Sequence, residues 1–148
     1  MTIENYIKQL ENFKSDLPAE VDKILMKNSK FIVGMLKLRL YTYGQDGNYD
    51  QIGYYTPATK RRKDIKGQKA DFITLRDSGH FYDGMFMIAS NGNYKISSTD
   101  AKTPLLINEY GPAILELTYK QQADIVENII DPEIQKLLDN LGDIEITF

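Results

Sequence analysis

The sequence contains no cysteine, no tryptophan and a single histidine, His80. The absence of cysteine excludes disulfide bonds, thiolate zinc sites and thiol nucleophiles, and it is consistent with a reducing compartment. With one imidazole and no thiolate, the side chains that usually hold transition metals are missing. We therefore expect no metal site and no other cofactor.

Long apolar runs are absent as well. No segment approaches about 18 uninterrupted apolar residues, which predicts no membrane span. The first thirteen residues are interrupted by Glu4, Lys8 and Glu11 and have no signal-peptide core. The chain is 42% hydrophobic and 26% charged with a net charge of -3, which is typical of a globular protein and does not favour nucleic-acid binding through overall charge. We expect a soluble protein that is made in the cytoplasm and kept inside a cell at least at first, with one domain over residues 1–148.

Glycine motifs that cradle phosphate groups are also missing, since neither a Walker pattern nor a dinucleotide fingerprint occurs. The segment "DGNYDQ" places Asp46, Asn48 and Asp50 at the first spacing of a calcium loop. A calcium loop then needs glycine at its sixth position and glutamate at its twelfth, where this chain has Gln51 and Pro57. The pattern predicts a solvated turn.

Apolar periodicity predicts helices at both ends of the chain. Thr2 is a helix cap, and a first helix with the apolar stripe Ile3, Tyr6, Ile7 and Leu10 follows. A break is expected at "KSDLP" (14–18), before a second helix of about 23 residues that ends in a glycine-rich loop. The segment "YKQQADIVENIIDPEIQKLLDNLG" predicts a C-terminal helix that kinks or restarts at Asp131–Pro132.

The middle of the chain predicts a small sheet. "FITL" (72–75) is expected to be a short strand, and "MFMIAS" and "YKISS" are expected to form a hairpin around "NGN". "LLINEYGPAILELT" is ambiguous between strand and irregular chain. The alternating segment "DIEITF" predicts an edge strand made of Asp143, Ile144, Glu145, Ile146, Thr147 and Phe148. The predicted class is α+β, with long N-terminal helices, a small antiparallel β-sheet with a hairpin, a C-terminal helix and a terminal edge strand.

A basic run lies inside a predicted loop over residues 44–70. Six cations occur within ten residues, and two tyrosines precede them: Tyr54, Tyr55, Lys60, Arg61, Arg62, Lys63, Lys66 and Lys69. Basic residues next to aromatic ones can bind a nucleic-acid backbone or stack on bases. Three interpretations stay open: a solvated or inter-subunit salt-bridging loop, contact with DNA passing nearby, and an acidic protein partner.

The stretch "TLRDSGHFYDGM" (74–85) contains the residue types of a catalytic triad in Asp77, Ser78 and His80. A triad normally draws its members from separate elements, and no nucleophile-elbow glycines surround Ser78. We expect a turn instead, in which Asp77 or Ser78 binds backbone amides and Gly79 adopts an unusual backbone angle. Arg76 and Asp77 would brace this corner, while Phe81, Tyr82 and Met85 would enter the core. No enzymatic activity is expected.

The order of these features resembles a known family. A long N-terminal helix, the loop "YYTPATKRRK", the stretch "TLRDSGHFYDGMFM", a hairpin, "LLINEYGPAIL" and a C-terminal helix follow one another. Over about residues 20–140 this order is similar to the bacteriophage tail-completion and tail-terminator proteins of the head–tail joint. Their recurring turn, Thr or Ser followed by Gly and then an aromatic residue or leucine, is matched by "RDSGHFYDG" at Arg76, Asp77, Ser78, Gly79 and Phe81.

The resemblance implies a structural virion protein of the tail or neck that is not an enzyme. It implies a homo-oligomeric ring of six or twelve subunits that binds connector, portal or tail proteins around a channel for DNA. In such a ring, residues 143–148 would add to the sheet of a neighbouring copy or pair within their own sheet. Two other functions stay open: a nucleic-acid-binding module that uses residues 60–69, and a small hydrolase centred on Ser78 and His80.

Overall fold

The computed structural model describes residues 2–142, which form the predicted α+β arrangement of helices around a two-stranded antiparallel hairpin. The predicted terminal strand, residues 143–148, lies outside the described residues. A 3-10 helix spans Pro112–Leu115, and a π-helical stretch spans Val126–Ile130. The helices and strands in chain order are α1 (Ile3–Lys27), α2 (Ser29–Tyr43), α3 (Pro57–Ile65), α4 (His80–Asp83), β1 (Met85–Ser90), β2 (Asn93–Ser98), α5 (Thr103–Tyr110), α6 (Tyr119–Ile125) and α7 (Asp131–Asp139).

Helix α1 begins as predicted, because Thr2 Oγ1 accepts a hydrogen bond from the Asn5 N–H at 3.2 Å. The predicted break at residues 14–18 is wrong, since α1 continues through Pro18 and ends at Lys27. Tertiary hydrogen bonds occur on both sides of Pro18: Gln9 accepts from the Gly142 N–H, and Asp22 binds the hairpin tip. These tertiary contacts outweigh the local cost of proline within a helix.

The predicted hairpin is confirmed. Strands β1 and β2 pair from Met85↔Ser98 to Ser90↔Asn93 around a two-residue turn. Asn91 and Gly92 have φ angles of 52° and 79°, the left-handed values that a type I′ turn requires. The Asp22 carboxylate accepts from both turn amides, at 2.9 Å from Asn91 N and 2.8 Å from Gly92 N. The hairpin tip is therefore fixed to α1.

Two predictions for the middle of the chain are wrong. "FITL" is not a strand, because Leu75 has a φ of 62° that extended strands do not adopt. The segment that starts at "LLINEY" is helix α5 followed by the 3-10 helix, with Pro104 in the first turn, where proline needs no N–H partner. The chain near Asp131–Pro132 remains helical, and the Asp131 N–H donates to Val126 O, five residues earlier. The π-helical stretch therefore accommodates the proline.

One buried cluster joins α2, the inner face of the hairpin, the 3-10 helix and α6. Its most enclosed members on α2, Ile32, Leu36 and Leu40, recur every four residues and have no exposed surface. Ile114 of the 3-10 helix is equally enclosed. In the part of the chain that the structure describes, no helix has the length and apolarity that crossing a membrane requires.

Candidate functional site

The basic run lies on a helix, so the prediction of a loop over residues 44–70 is wrong in its middle. Thr56 Oγ1 accepts from the Thr59 N–H at 3.3 Å, and Pro57 occupies the first turn of α3. Lys60, Arg61 and Arg62 are exposed on α3, and Lys66 is exposed directly after it. Tyr54, just before this helix, is 72% exposed. These residues form an accessible basic surface.

Lys63 differs from its basic neighbours because it is only 6% exposed. Its Nζ donates to Arg76 O at 3.2 Å and lies 4.6 Å from the centroid of the Tyr55 ring. A hydrogen bond and a cation–π contact offset the cost of burying the ammonium. Lys63 and Tyr55, both predicted as members of an interaction loop, thus make contacts within the protein that fix α3 to residues 74–76.

Two tyrosine hydroxyls hold the backbone of Thr74, a residue that is 1% exposed. The Thr74 N–H donates to Tyr55 Oη at 3.2 Å, and Tyr82 Oη donates to Thr74 O. Burial raises the pKa of Tyr82, because a phenolate would lose its hydration there. The start of "TLRDSGHFYDGM" is thus fixed from both sides through its backbone.

The corner at residues 76–80 is held mainly by hydrogen bonds from side chains to its main-chain groups. Lys63 binds Arg76 O, and Gln68 Nε2 donates to Asp77 O at 2.9 Å. Ser78 Oγ accepts from the His80 N–H at 3.3 Å, and Gly79 has a φ of 91°. Ser78 and Gly79 thus have the turn geometry that the sequence predicts, and α4 begins immediately afterwards.

The two predicted residue sets meet in one cavity of about 360 Å³, which we call the basic cavity. It lies between α3, residues 73–79 and the start of α5. Arg62, Lys66, Arg76 and Lys102 supply positive charge, and Asp77 and Asp100 supply the carboxylates. Its apolar wall consists of Ile73, Leu75, Phe81, Leu106 and Tyr110. A ligand with an anionic group beside an apolar one matches this lining.

The contribution of α5 to this cavity was missed by the sequence analysis. Leu106 and Tyr110 line the cavity and lie in the segment that was ambiguous between strand and irregular chain. A signal was present, because Pro104 followed by six residues without glycine or proline is a typical helix start.

No triad geometry is present in the described residues. Ser78 and His80 are both exposed, and the Ser78 hydroxyl binds the backbone of His80 and not its imidazole. The imidazole makes no hydrogen bond with a carboxylate within residues 2–142. Asp46 Oδ1 accepts from the N–H groups of Asn48 and Asp50, at 2.8 and 3.1 Å, so this aspartate forms a turn. The described residues contain no cluster of three or more potential metal ligands.

Several apolar side chains are exposed on regular elements. Ile3, Ile7 and Leu10 form the predicted stripe on α1, but the described residues do not cover it. On the outer face of the hairpin, Phe86 is 38% and Ile88 is 54% exposed.

No family model matches the chain, and comparison with curated proteins and with solved structures gives no match either.

Replacing Tyr82 by phenylalanine is expected to lower the free energy of unfolding by about 1–3 kcal/mol, because Thr74 O loses its buried donor. The variant's free energy of unfolding should also fall less than that of the original chain as the pH rises above about 10. Since the folded-state pKa of Tyr82 is raised, its contribution is complete below a pH of about 10 and is lost as pH rises further. Urea unfolding at pH 8 and pH 11 measures both effects. Tyr54→Phe is the exposed control, and an unchanged pH dependence in Tyr82→Phe would contradict this role.

Proposed function

We propose that this chain is a structural virion protein of a phage head–tail joint or tail. In this proposal it assembles as a ring and joins connector or portal components to the tail. The observation that supports the proposal best is the set of apolar side chains left exposed on α1 and on the hairpin. Exposed apolar groups on regular elements are typical of protein interaction sites. The resemblance carried by Arg76–Phe81 and its flanking segments supplies the viral context.

A ring needs two different contact faces on each subunit, because each interface joins one face to a different face of the next copy. The α1 stripe lies between Ile3 and Leu10, whereas the hairpin tip meets α1 at Asp22. These positions are about 18 Å apart along the helix, so the two apolar surfaces are distinct. The basic cavity is a third surface, suited to an acidic group on a connector or portal neighbour.

The proposal predicts that the purified protein has six or twelve times the 17.0 kDa mass of one chain. Multi-angle light scattering after size-exclusion chromatography measures this mass. Ile7→Glu should reduce the assembled fraction, because it places a charge on the exposed apolar stripe. Asn12→Glu, which adds the same charge at an exposed position on the opposite side of α1, is the control. A strictly monomeric protein that is absent from virus particles would rule out the proposal.

A second candidate function is nucleic-acid binding, favoured by the three exposed cations at consecutive positions of α3. Binding should weaken steeply with salt, because each phosphate contact releases counterions. The combined variant Lys60→Glu, Arg61→Glu and Arg62→Glu should bind DNA at least about tenfold more weakly. Lys63 is left unchanged because it is buried and structural.

The matched control for DNA binding is the combined variant Lys8→Glu, Lys14→Glu and Lys30→Glu, which changes the net charge equally at exposed positions of α1 and α2. Fluorescence anisotropy at two salt concentrations compares the two variants with the original chain. Equal affinity of both variants would remove α3 as the binding surface.

A further inference from the structure

Strand β2 has a free edge within the described residues. A two-residue type I′ hairpin has hydrogen-bonded pairs at Ser90↔Asn93 and at every second position beyond it. The N–H and C=O groups of Tyr94 and Ile96 therefore point away from β1. Neither residue's backbone forms a hydrogen bond to another described residue outside β1. Two donors and two acceptors are thus available along this edge.

A groove of about 520 Å³ runs beside this free edge. One side is strand β2 from Asn93 to Ser97, and the opposite side carries the half-buried Ile107 and the exposed Glu116 together with the buried Leu115 and Leu117. An unpaired strand edge can accept a strand from another chain through main-chain hydrogen bonds. Apolar pockets beside such an edge then select every second side chain of the added strand. The groove therefore suits an extended segment with alternating apolar residues.

We propose that residues 143–148 of a neighbouring copy add as a third strand to the free edge of β2. This inference rests on the proposed self-assembly and names its contact. The segment has six residues, as β2 does, and polar side chains alternate with apolar ones along it. Ile144, Ile146 and Phe148 would face Ile107, Leu115 and Leu117, while Asp143, Glu145 and Thr147 would face outward.

The charges on the outward side of the proposed strand are opposite to that of the neighbouring Lys95. Lys95 is exposed on the outer face of the hairpin, where the acidic side chains of the added strand would lie. Opposite charges on adjacent strands stabilise their pairing, whereas like charges oppose it. Asp143 and Glu145 would therefore favour pairing beside Lys95.

The length of the segment favours a neighbouring copy over the same chain. Gly142 N is hydrogen-bonded to Gln9, which precedes Pro18 by nine residues, or about 13 Å of helix. Pro18 lies beside Gly92 at the hairpin tip. Six extended residues span about 20 Å, so about four of them would be needed merely to reach the tip. Too few would remain to pair along β2 of the same chain.

Disulfide mapping between copies tests the proposal, because the chain has no cysteine of its own. One preparation carries Lys95→Cys, and each of five others carries one cysteine at residues 143–147. The Lys95→Cys chain is mixed with each of these in turn and oxidised with copper–phenanthroline. Any disulfide between the two variants then joins separate copies, and mass spectrometry identifies the linked peptides.

The proposal predicts an alternating pattern. The strongest link to position 95 should come from one of the cysteines at Asp143, Glu145 and Thr147, about tenfold above those at Ile144 and Ile146. Only this side of the strand faces residue 95, and in a given register one of its residues lies opposite, within disulfide reach. Lys60→Cys replaces Lys95→Cys in the control, because it is exposed on α3 and lies away from the groove.

Light scattering on the same preparations separates the two possible failures. Assembly of the original chain without alternating disulfides would overturn the strand addition and leave the proposed function standing. Absence of any assembly would overturn both.

Discussion

Leu36→Ala is expected to lower the free energy of unfolding by about 3 kcal/mol. Leu36 has no exposed surface and belongs to the buried cluster that includes Ile32 and Ile114. Truncation of such a leucine removes apolar burial and leaves a cavity that its neighbours fill only in part. For a chain of this size, a loss of this magnitude lowers the melting temperature by roughly 6–12 °C.

Leu38→Ala is the matched control, because Leu38 lies on the same helix but is 65% exposed. Its effect should stay within about 0.5 kcal/mol, since little apolar area leaves the interior. Urea denaturation followed by circular dichroism compares both variants. Similar losses at positions 36 and 38 would contradict the orientation of α2.

Gln121→Ala is expected to have an effect of similar size, about 3 kcal/mol, through polar contacts. Gln121 Oε1 accepts from Arg39 Nη1 at 2.7 Å and from the Thr118 N–H at 3.1 Å. Its Nε2 donates to Met35 O at 3.0 Å. The truncation would therefore leave Arg39 Nη1 on α2 and the Thr118 N–H at the start of α6 without the acceptor that Gln121 supplies.

The buried charge of Arg39 makes this loss larger than that of a neutral hydrogen bond. Arg39 is 5% exposed, and burial lowers its pKa because the charged guanidinium loses hydration. Nε remains bound to Gln45 O at 3.0 Å, but Nη2 already has no described partner. Without Gln121, Nη1 would also lose its only described acceptor.

Gln122→Ala is the control for this prediction, because Gln122 is exposed and, among residues 2–142, its side chain makes one hydrogen bond, to Leu117 O at 3.1 Å. Its loss should cost less than about 1 kcal/mol. Thermal denaturation at neutral pH measures both variants. If both melt at the same temperature, Gln121 does not support Arg39 in the way the contacts indicate.

The parts of the fold that could be predicted are those determined by residues close together in the sequence. The hairpin follows from alternating apolar residues around Asn91–Gly92, and α1 begins at its Thr2 cap. The continuity of α1 through Pro18 was not predictable, because Asp22 binds a turn about 70 positions later in the chain. Contacts between distant residues leave no pattern in the sequence near the proline.

The sequence identified the two segments that form the candidate site, but it did not show that they lie side by side. The basic run and the turn at residues 76–81 were both identified, yet nothing in either segment shows that they line one cavity. Lys63 was not distinguishable from Lys60 within a run treated as loop. Thr56–Pro57 is the signal that would have placed the run on a helix, and a helix must direct some of these side chains toward the protein interior.

The contact between Arg39 and Gln121, 82 residues apart in the chain, has a consequence for the order of events during synthesis. Helices α1 and α2 leave the ribosome first, whereas Ile114 and Ile125, which share their buried cluster, are translated much later. At about 5–20 residues per second, the apolar side of α2 remains without these partners for several seconds. The native core therefore closes only after Ile125 has been translated, and chains interrupted before residue 112 should aggregate or be degraded.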